Sequence, residues 1–204
     1  TAVSERLLGV VFGVAAQIAE EEICSMEDVD RGAKVGLRWA RGPFEMMNRI
    51  GVAEAYRMAA AYQVLAGNSW VLPSFFKEQS DSSTNWDFSY VDSSTEDGIT
   101  TITINRPEAM NALNEVVIQQ LTDAVEAANG DNAISTIVLD GAGKAFVAGA
   151  DVKFFVDKIR SDDIPDIETF TENGHTLLAA LEDSMKTTIA LTTGLALGGG
   201  LELA

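Results

Sequence analysis

Twice in this chain an apolar, strand-like run breaks on small residues and restarts as a helix: FVAGADVKFF at 146–155 and LALGGGLELA at 195–204. Such a run needs a sheet covered on both faces, because a strand with one solvated face alternates polar and apolar residues instead. ISTIVLDG (134–141) and TTIALTTG (187–194) read as buried strands of the same kind. GITTITINRP (98–107) is a further strand, closed by Pro107. Between them, NALNEVVIQQLTDAVEAANGD (111–131) has helical apolar spacing, with Asn111 as the expected N-cap and Gly130 as the terminator. A long helical stretch is expected over about 165–186. Strands alternating with helices predict an α/β fold with a parallel sheet and helical crossovers from residue 86 to residue 204.

The first third reads differently. Residues 1–66 are helical throughout, with no strand signal. Ser25 and Asp28 have capping-box spacing and Gly36 is a natural stop, while Pro43 opens a helix that Gly51 closes. This part is a small all-α domain. Residues 67–85, rich in Ser, Asn and Asp, are expected to be a polar linker, and WDFSYVD (86–92) to be the first strand of the α/β part.

The chemistry concentrates at the two glycine-marked turns. Each leaves backbone N–H groups free at a helix start, and small residues let a ligand approach the main chain. Two such donors converging on one point form an oxyanion hole. Glu202 follows the glycines by two to three residues, where a carboxylate can move a proton near a polarised carbonyl. A glycine run before a helix is also an ordinary tight turn, so spacing alone leaves both readings open. Neither turn is a phosphate loop: GKAFVAG lacks the Gly-Lys-Ser/Thr ending, and GGGLEL lacks dinucleotide-binding spacing.

A net charge of −17, from 31 acids against 14 bases, argues against nucleic acid or an anionic membrane as partner. No apolar run is expected to reach membrane-spanning length, and the first segment lacks the basic leader of a targeting signal. The single cysteine, Cys24, excludes an internal disulfide and fits a reducing cytoplasm. With one Cys and one His no zinc cluster of those ligands can be built, and no metal site is expected. A nucleophilic dyad of Cys24 with His175 is formally possible, but the two lie in segments of different character, and the expected places are a core for Cys24 and a helix surface for His175.

ITTITINRPEAMNALN, AFVAGADVKFF and ALGGGLELA, in this order, resemble the enoyl-CoA hydratase/isomerase (crotonase) family over about residues 86–204. The resemblance implies a crotonase-type ββα superhelix, with the main-chain N–H groups of Ala150 and Gly199 as oxyanion donors and Glu202 as one of two catalytic glutamates. Ala112 and the run Ala150, Asp151, Val152 and Lys153 match positions lining the CoA site, with Gly199 also against the substrate. Lys144, Lys153 and Lys158 are candidate bases for the polyanionic CoA. The family's second glutamate stands roughly twenty residues further on, so the chain is expected to be a fragment cut within the domain. Its hydratase competence alone is open: isomerase or other CoA-ester chemistry, and an inactive CoA-binding or assembly module, remain alternatives. EEEICSMEDVDRGAKVGLRWARGPFEMMNRIG (20–51) resembles the C-terminal helical domain of 3-hydroxyacyl-CoA dehydrogenases, covering about residues 1–66. Together the two resemblances imply a fused cytoplasmic enzyme of fatty-acyl-CoA metabolism (β-oxidation), with NAD required only by a dehydrogenase domain upstream. Hydration itself needs an acyl-CoA thioester and no cofactor. The crotonase resemblance also implies a trimer-based homo-oligomer.

Overall fold

The computed structural model describes residues 2–67 and 70–204; Thr1 and two residues of the expected linker, Asn68 and Ser69, lie outside them. The chain divides into two compact units, Thr1–Phe88 and Ser89–Ala204.

The first unit is helical: α1 (Ala2–Glu20), α2 (Met26–Gly36), α3 (Pro43–Ile50), α4 (Val52–Leu65) and α5 (Ser74–Ser82). Ser25 caps α2 by accepting from Asp28 N, and Pro43 and Gly51 bound α3, as the local spacing predicts. Phe12, Phe44, Met47, Ala55, Ala59 and Phe76 are fully buried and form the centre of its core. The expected linker is instead part of this unit. It winds into α5, and Leu72, Phe76 and Trp86 join the core. The Trp86 ring meets Phe44 edge-on at 5.4 Å, and its backbone exchanges hydrogen bonds of 2.7 and 2.9 Å with Asn48. Aromatic side chains scattered through a polar stretch bury enough apolar area to order it. One further expectation needs correction. α1 is long and apolar enough to cross a membrane, with a mean hydropathy of 1.4. Here it is a packed helix, with Phe12 and Ala16 fully buried. Cys24 is only half-buried.

The second unit is α/β, as expected. β1 (Val91–Glu96) and β2 (Ile99–Ile104) form an antiparallel hairpin, and β3 (Thr136–Gly141) and β5 (Thr187–Ala190) extend it in parallel, giving the order β1-β2-β3-β5. β4 (Ala145–Val147) and β6 (Leu195–Ala196) make a separate parallel pair. The helices are α6 (Glu115–Gly130), α7 (Val152–Arg160), α8 (Ile164–Glu182) and α9 (Gly199–Leu203). Ile102, Ile104, Val117, Leu121, Ile137, Phe146 and Leu177 are its largest buried side chains among the described residues.

Three local expectations change. β1 is the polar VDSSTE, mostly exposed at the sheet edge, and not WDFSYVD; an Asp97-Gly98 turn with both φ positive closes the hairpin. The N-cap of α6 is Asn114, which accepts from Val117 N at 2.9 Å. Asn111 is buried instead, accepting from Arg106 N and donating to Ala142 O and Ala145 O. β5 is expected to be buried, yet Ile189 and, just past the strand, Leu191 are each 47% exposed, because among the described residues β5 pairs with β3 alone and stands at the sheet edge.

Candidate active site

The parallel pairing of β4 with β6 places the two glycine-marked turns side by side. Val147 stands opposite Ala196, and Leu197 N donates to Val147 O at 3.0 Å, so both chains leave the pair together. The contact between the turns is too close for side chains. A Cβ on Gly200 would lie 2.1 Å from Val147 O. Gly149 takes a φ of +90°, a left-handed conformation that other residues rarely adopt. These positions need glycine for backbone reasons, and the result is convergence of the next residues.

Ala150 and Gly199 both line one cavity of about 190 Å³, and Glu202 lines it with them. Its walls are largely apolar: Leu113, Ile118, Phe170, Leu177, Leu178 and Leu203. Gly199 is the first residue of α9, so its N–H has no helical partner. Ala150 sits in an isolated parallel bridge with Leu113, in which Leu113 N donates to Gly149 O at 2.8 Å and Asp151 N to Leu113 O at 2.7 Å. That pattern uses the groups on either side of Ala150 and leaves its own N–H over. Among the described residues neither the Ala150 nor the Gly199 N–H donates to a protein acceptor. Two unspent donors on an apolar cavity are suited to an oxygen that gains negative charge, since a low-dielectric surrounding strengthens the interaction. Glu202 is the one carboxylate among the described lining residues.

The remaining sequence-predicted positions lie beside the cavity and do not line it. Ala112 donates to Ala109 O and its carbonyl accepts from the Arg106 guanidinium. Asp151 caps α7 through Lys153 N and pairs with Arg106 at 2.9 Å, so its carboxylate is engaged. Val152 is 73% exposed, and Lys153 is exposed on the same turn. Of the three lysines considered for an anionic ligand, Lys144 and Lys153 are exposed. Lys158 is engaged by Asp166, with Asp163 at 3.6 Å and Glu115 at 3.9 Å. The hydrogen bond to Asp166 holds its ammonium above the ordinary lysine range. Three carboxylates around one ammonium leave little field for a phosphate.

His175 is exposed on α8, as its sequence context predicts, but it also lines the cavity opposite the glycine turns. The signal was present: Thr171, Gly174, His175 and Leu178, all lining residues, stand at i, i+3, i+4 and i+7 on one helix face. No group of three or more His, Cys, Asp or Glu side chains able to hold a metal converges among the described residues.

A family model for enoyl-CoA hydratase/isomerase matches residues 99–204, and one for the 3-hydroxyacyl-CoA dehydrogenase C-terminal domain matches residues 3–82. A crotonyl-CoA hydratase of Syntrophomonas wolfei is 39% identical over 110 residues, covering 53% of this chain and 41% of that protein. The 2,3-dehydroadipyl-CoA hydratase of Escherichia coli is 39% identical over 103 residues, covering 50% and 38%. Among solved structures, an enoyl-CoA hydratase/isomerase from Xanthobacter autotrophicus superposes with a TM-score of 0.52 at 28% identity, covering 57% of this chain and 43% of that one. The chain thus spans about two fifths of the length of the curated relatives it matches.

Proposed function

The chain belongs to the enoyl-CoA hydratase/isomerase family, and from that membership we propose that its second unit carries part of a site that adds water to a 2-enoyl-CoA thioester. The observation that carries this reading is that Ala150 and Gly199, whose N–H groups donate to no protein acceptor among the described residues, line one largely apolar cavity together with Glu202. The thioester oxygen accepts from both N–H groups and becomes the oxyanion as charge builds at the α-carbon. Fixed donors of this kind are worth about 3 kcal/mol each in the transition state. Glu202 takes a proton from the water whose oxygen adds at the β-carbon and gives a proton to the α-carbon as the oxyanion collapses back to the thioester. The names of the two hydratase relatives support acyl-CoA as the substrate class.

The helical unit supports a wider proposal, that the protein couples hydration to oxidation of the resulting 3-hydroxyacyl-CoA; the crotonase membership adds a trimer-based assembly to that proposal, and the single cysteine a cytoplasmic setting. NAD would serve that oxidation. The residues here do not fit it, because the glycine run at 198–200 lacks dinucleotide-binding spacing. No NAD step is assigned to them.

A second reading is isomerisation of a 3-enoyl-CoA, in which a base moves a proton between two carbons, and Glu202 on the cavity can serve as that base. Loss of the enoyl-thioester absorbance of crotonyl-CoA on adding the chain tests the first reading, and its formation from a 3-enoyl-CoA tests the second. Either activity is expected to fall at least 100-fold in Glu202→Ala with thioester binding kept. Turnover unchanged in that variant would overturn the assignment of Glu202, and thioester binding without turnover would leave a CoA-binding module.

A further inference from the structure

The direction of the Ala150 N–H is set by two other peptide groups and, behind them, by a partly buried cation. In a trans peptide the C=O and N–H point opposite ways. The carbonyl that shares a peptide plane with the Ala150 N–H is Gly149 O, and it accepts from Leu113 N at 2.8 Å. The carbonyl that shares a plane with that Leu113 N–H is Ala112 O, and it accepts from Arg106 Nη1 at 3.1 Å. The second proton of the same Nη1 goes to Asp151 Oδ2 at 2.9 Å. Arg106 therefore stands at the head of a chain of two peptide units that ends on Ala150, and it also grips the residue that follows Ala150. The guanidinium side chain is 16% exposed and the Asp151 carboxylate 19%. The Tyr90 ring lies against the guanidinium, 5.6 Å from its carbon.

We propose that Arg106 is a positioning residue for the oxyanion hole: through the Ala112–Leu113 and Gly149–Ala150 peptides it aims and strengthens the Ala150 N–H. A cation at a carbonyl oxygen draws electron density along the amide and makes its N–H a better donor, and the effect passes through each hydrogen bond to the next amide. Asp151 shares the charge, but Nη1 bonds Ala112 O directly at 3.1 Å in surroundings mostly removed from water, so the polarisation of that amide acts at contact. Gly199 provides an internal contrast. Its peptide partner, Gly198 O, accepts from Leu201 N and Glu202 N at 2.8 and 3.1 Å, which are neutral helical donors. Only one of the two donors is backed by a charge. The inference rests on the reading of Ala150 as an oxyanion donor, but the relay itself exists in the free protein and can be measured there.

The test compares ¹⁵N-labelled wild type with Arg106→Gln and Arg106→Lys, each checked for fold by circular dichroism. In Arg106→Gln the Ala150 amide proton is expected to move upfield while the Gly199 amide stays in place. Binding of acetoacetyl-CoA as its enolate is expected to fall about tenfold, with CoA itself bound as before. Arg106→Lys, which keeps the charge but not the fork geometry, recovers part of both effects. If Arg106→Gln does not fold, the double variant Arg106→Gln/Asp151→Asn, which leaves no unpaired carboxylate, takes its place. An unchanged Ala150 amide in the folded variant overturns the relay, and so does an equal movement of both amides, which would mean general loosening. Wild type that binds no acyl-CoA at all would sink the functional reading instead, and the amide shift would still decide the relay.

Discussion

The Asp30 carboxylate is 1% exposed between α2 and α3 and accepts from Phe44 N and Glu45 N, each at 2.8 Å. It thereby caps α3 from a different helix, satisfying two donors that Gly42, with no side chain, cannot reach. Burial outweighs those bonds and pushes its pKa from 3.8 up to about 6. The folded state thus holds this proton more tightly than the unfolded chain does. Its contribution favours folding below about pH 4 and is lost as the pH rises through about 6, at a cost of roughly 2–3 kcal/mol. Trp39, Trp70 and Trp86 are the chain's three tryptophans and all belong to the first unit, so their fluorescence follows its unfolding selectively. In urea titrations, wild type is expected to weaken relative to Asp30→Asn between pH 4 and pH 7. Parallel pH curves for the two proteins would refute the assignment. Sequence reading missed this residue, and misread Asn111, for one reason: both side chains bond to segments distant in the chain. Ser25 was legible because its partner is three residues away.

At the scale of elements, local punctuation served well where the chain's own neighbours decide the outcome. Pro43, Gly51 and the strand-to-helix turns at 149 and 198 all stand where their spacing put them. β1 escaped notice because an edge strand can be polar, and its pairing with β2 is satisfied by backbone alone. Convergence of Ala150, Gly199 and Glu202 depends on the β4–β6 pair, which no local pattern reveals. That dependence is testable at Gly200. A methyl group there would meet Val147 O at 2.1 Å and Val147 Cβ at 2.7 Å, neither of which belongs to a flexible side-chain end. Gly200→Ala is expected to destabilise the second unit by about 3 kcal/mol or more, and to abolish acyl-CoA binding even where the variant folds. Amide exchange over residues 145–147 and 195–203 would register the change. Wild-type protection in that variant would mean the turns do not lock each other. Phe76 offers the matching case in the first unit, where truncation to Ala should cost about 3–5 kcal/mol by tryptophan-monitored urea unfolding. A loss below about 1 kcal/mol would return α5 to the status of a linker.

For the whole molecule, the division into a helical and an α/β part was legible from the change in hydrophobic period, but its position was not. Composition put the end of the helical part at residue 66, whereas the compact unit runs to Phe88 and the matching dehydrogenase-type domain to residue 82. Polar residues dominate the composition of the intervening stretch, and Ser74, Asp81, Ser82, Ser83 and Asn85 face water, while Leu72, Phe76 and Trp86 do the packing. Stability follows the buried minority. Phe76 and Trp86 alone bury on the order of 300 Å² or more, worth roughly 8 kcal/mol before the entropy of ordering the segment is subtracted. A small helical domain has a net stability of that order or less, so it cannot lose both rings and stay folded. Produced separately, residues 1–88 should therefore unfold cooperatively in urea, with near-ultraviolet dichroism from packed aromatic rings. Residues 1–66 should give helical far-ultraviolet signal without a cooperative transition, because α1, α3 and α4 would face each other across the space those rings fill. A cooperative transition of equal midpoint in the shorter chain would place the boundary back at residue 66.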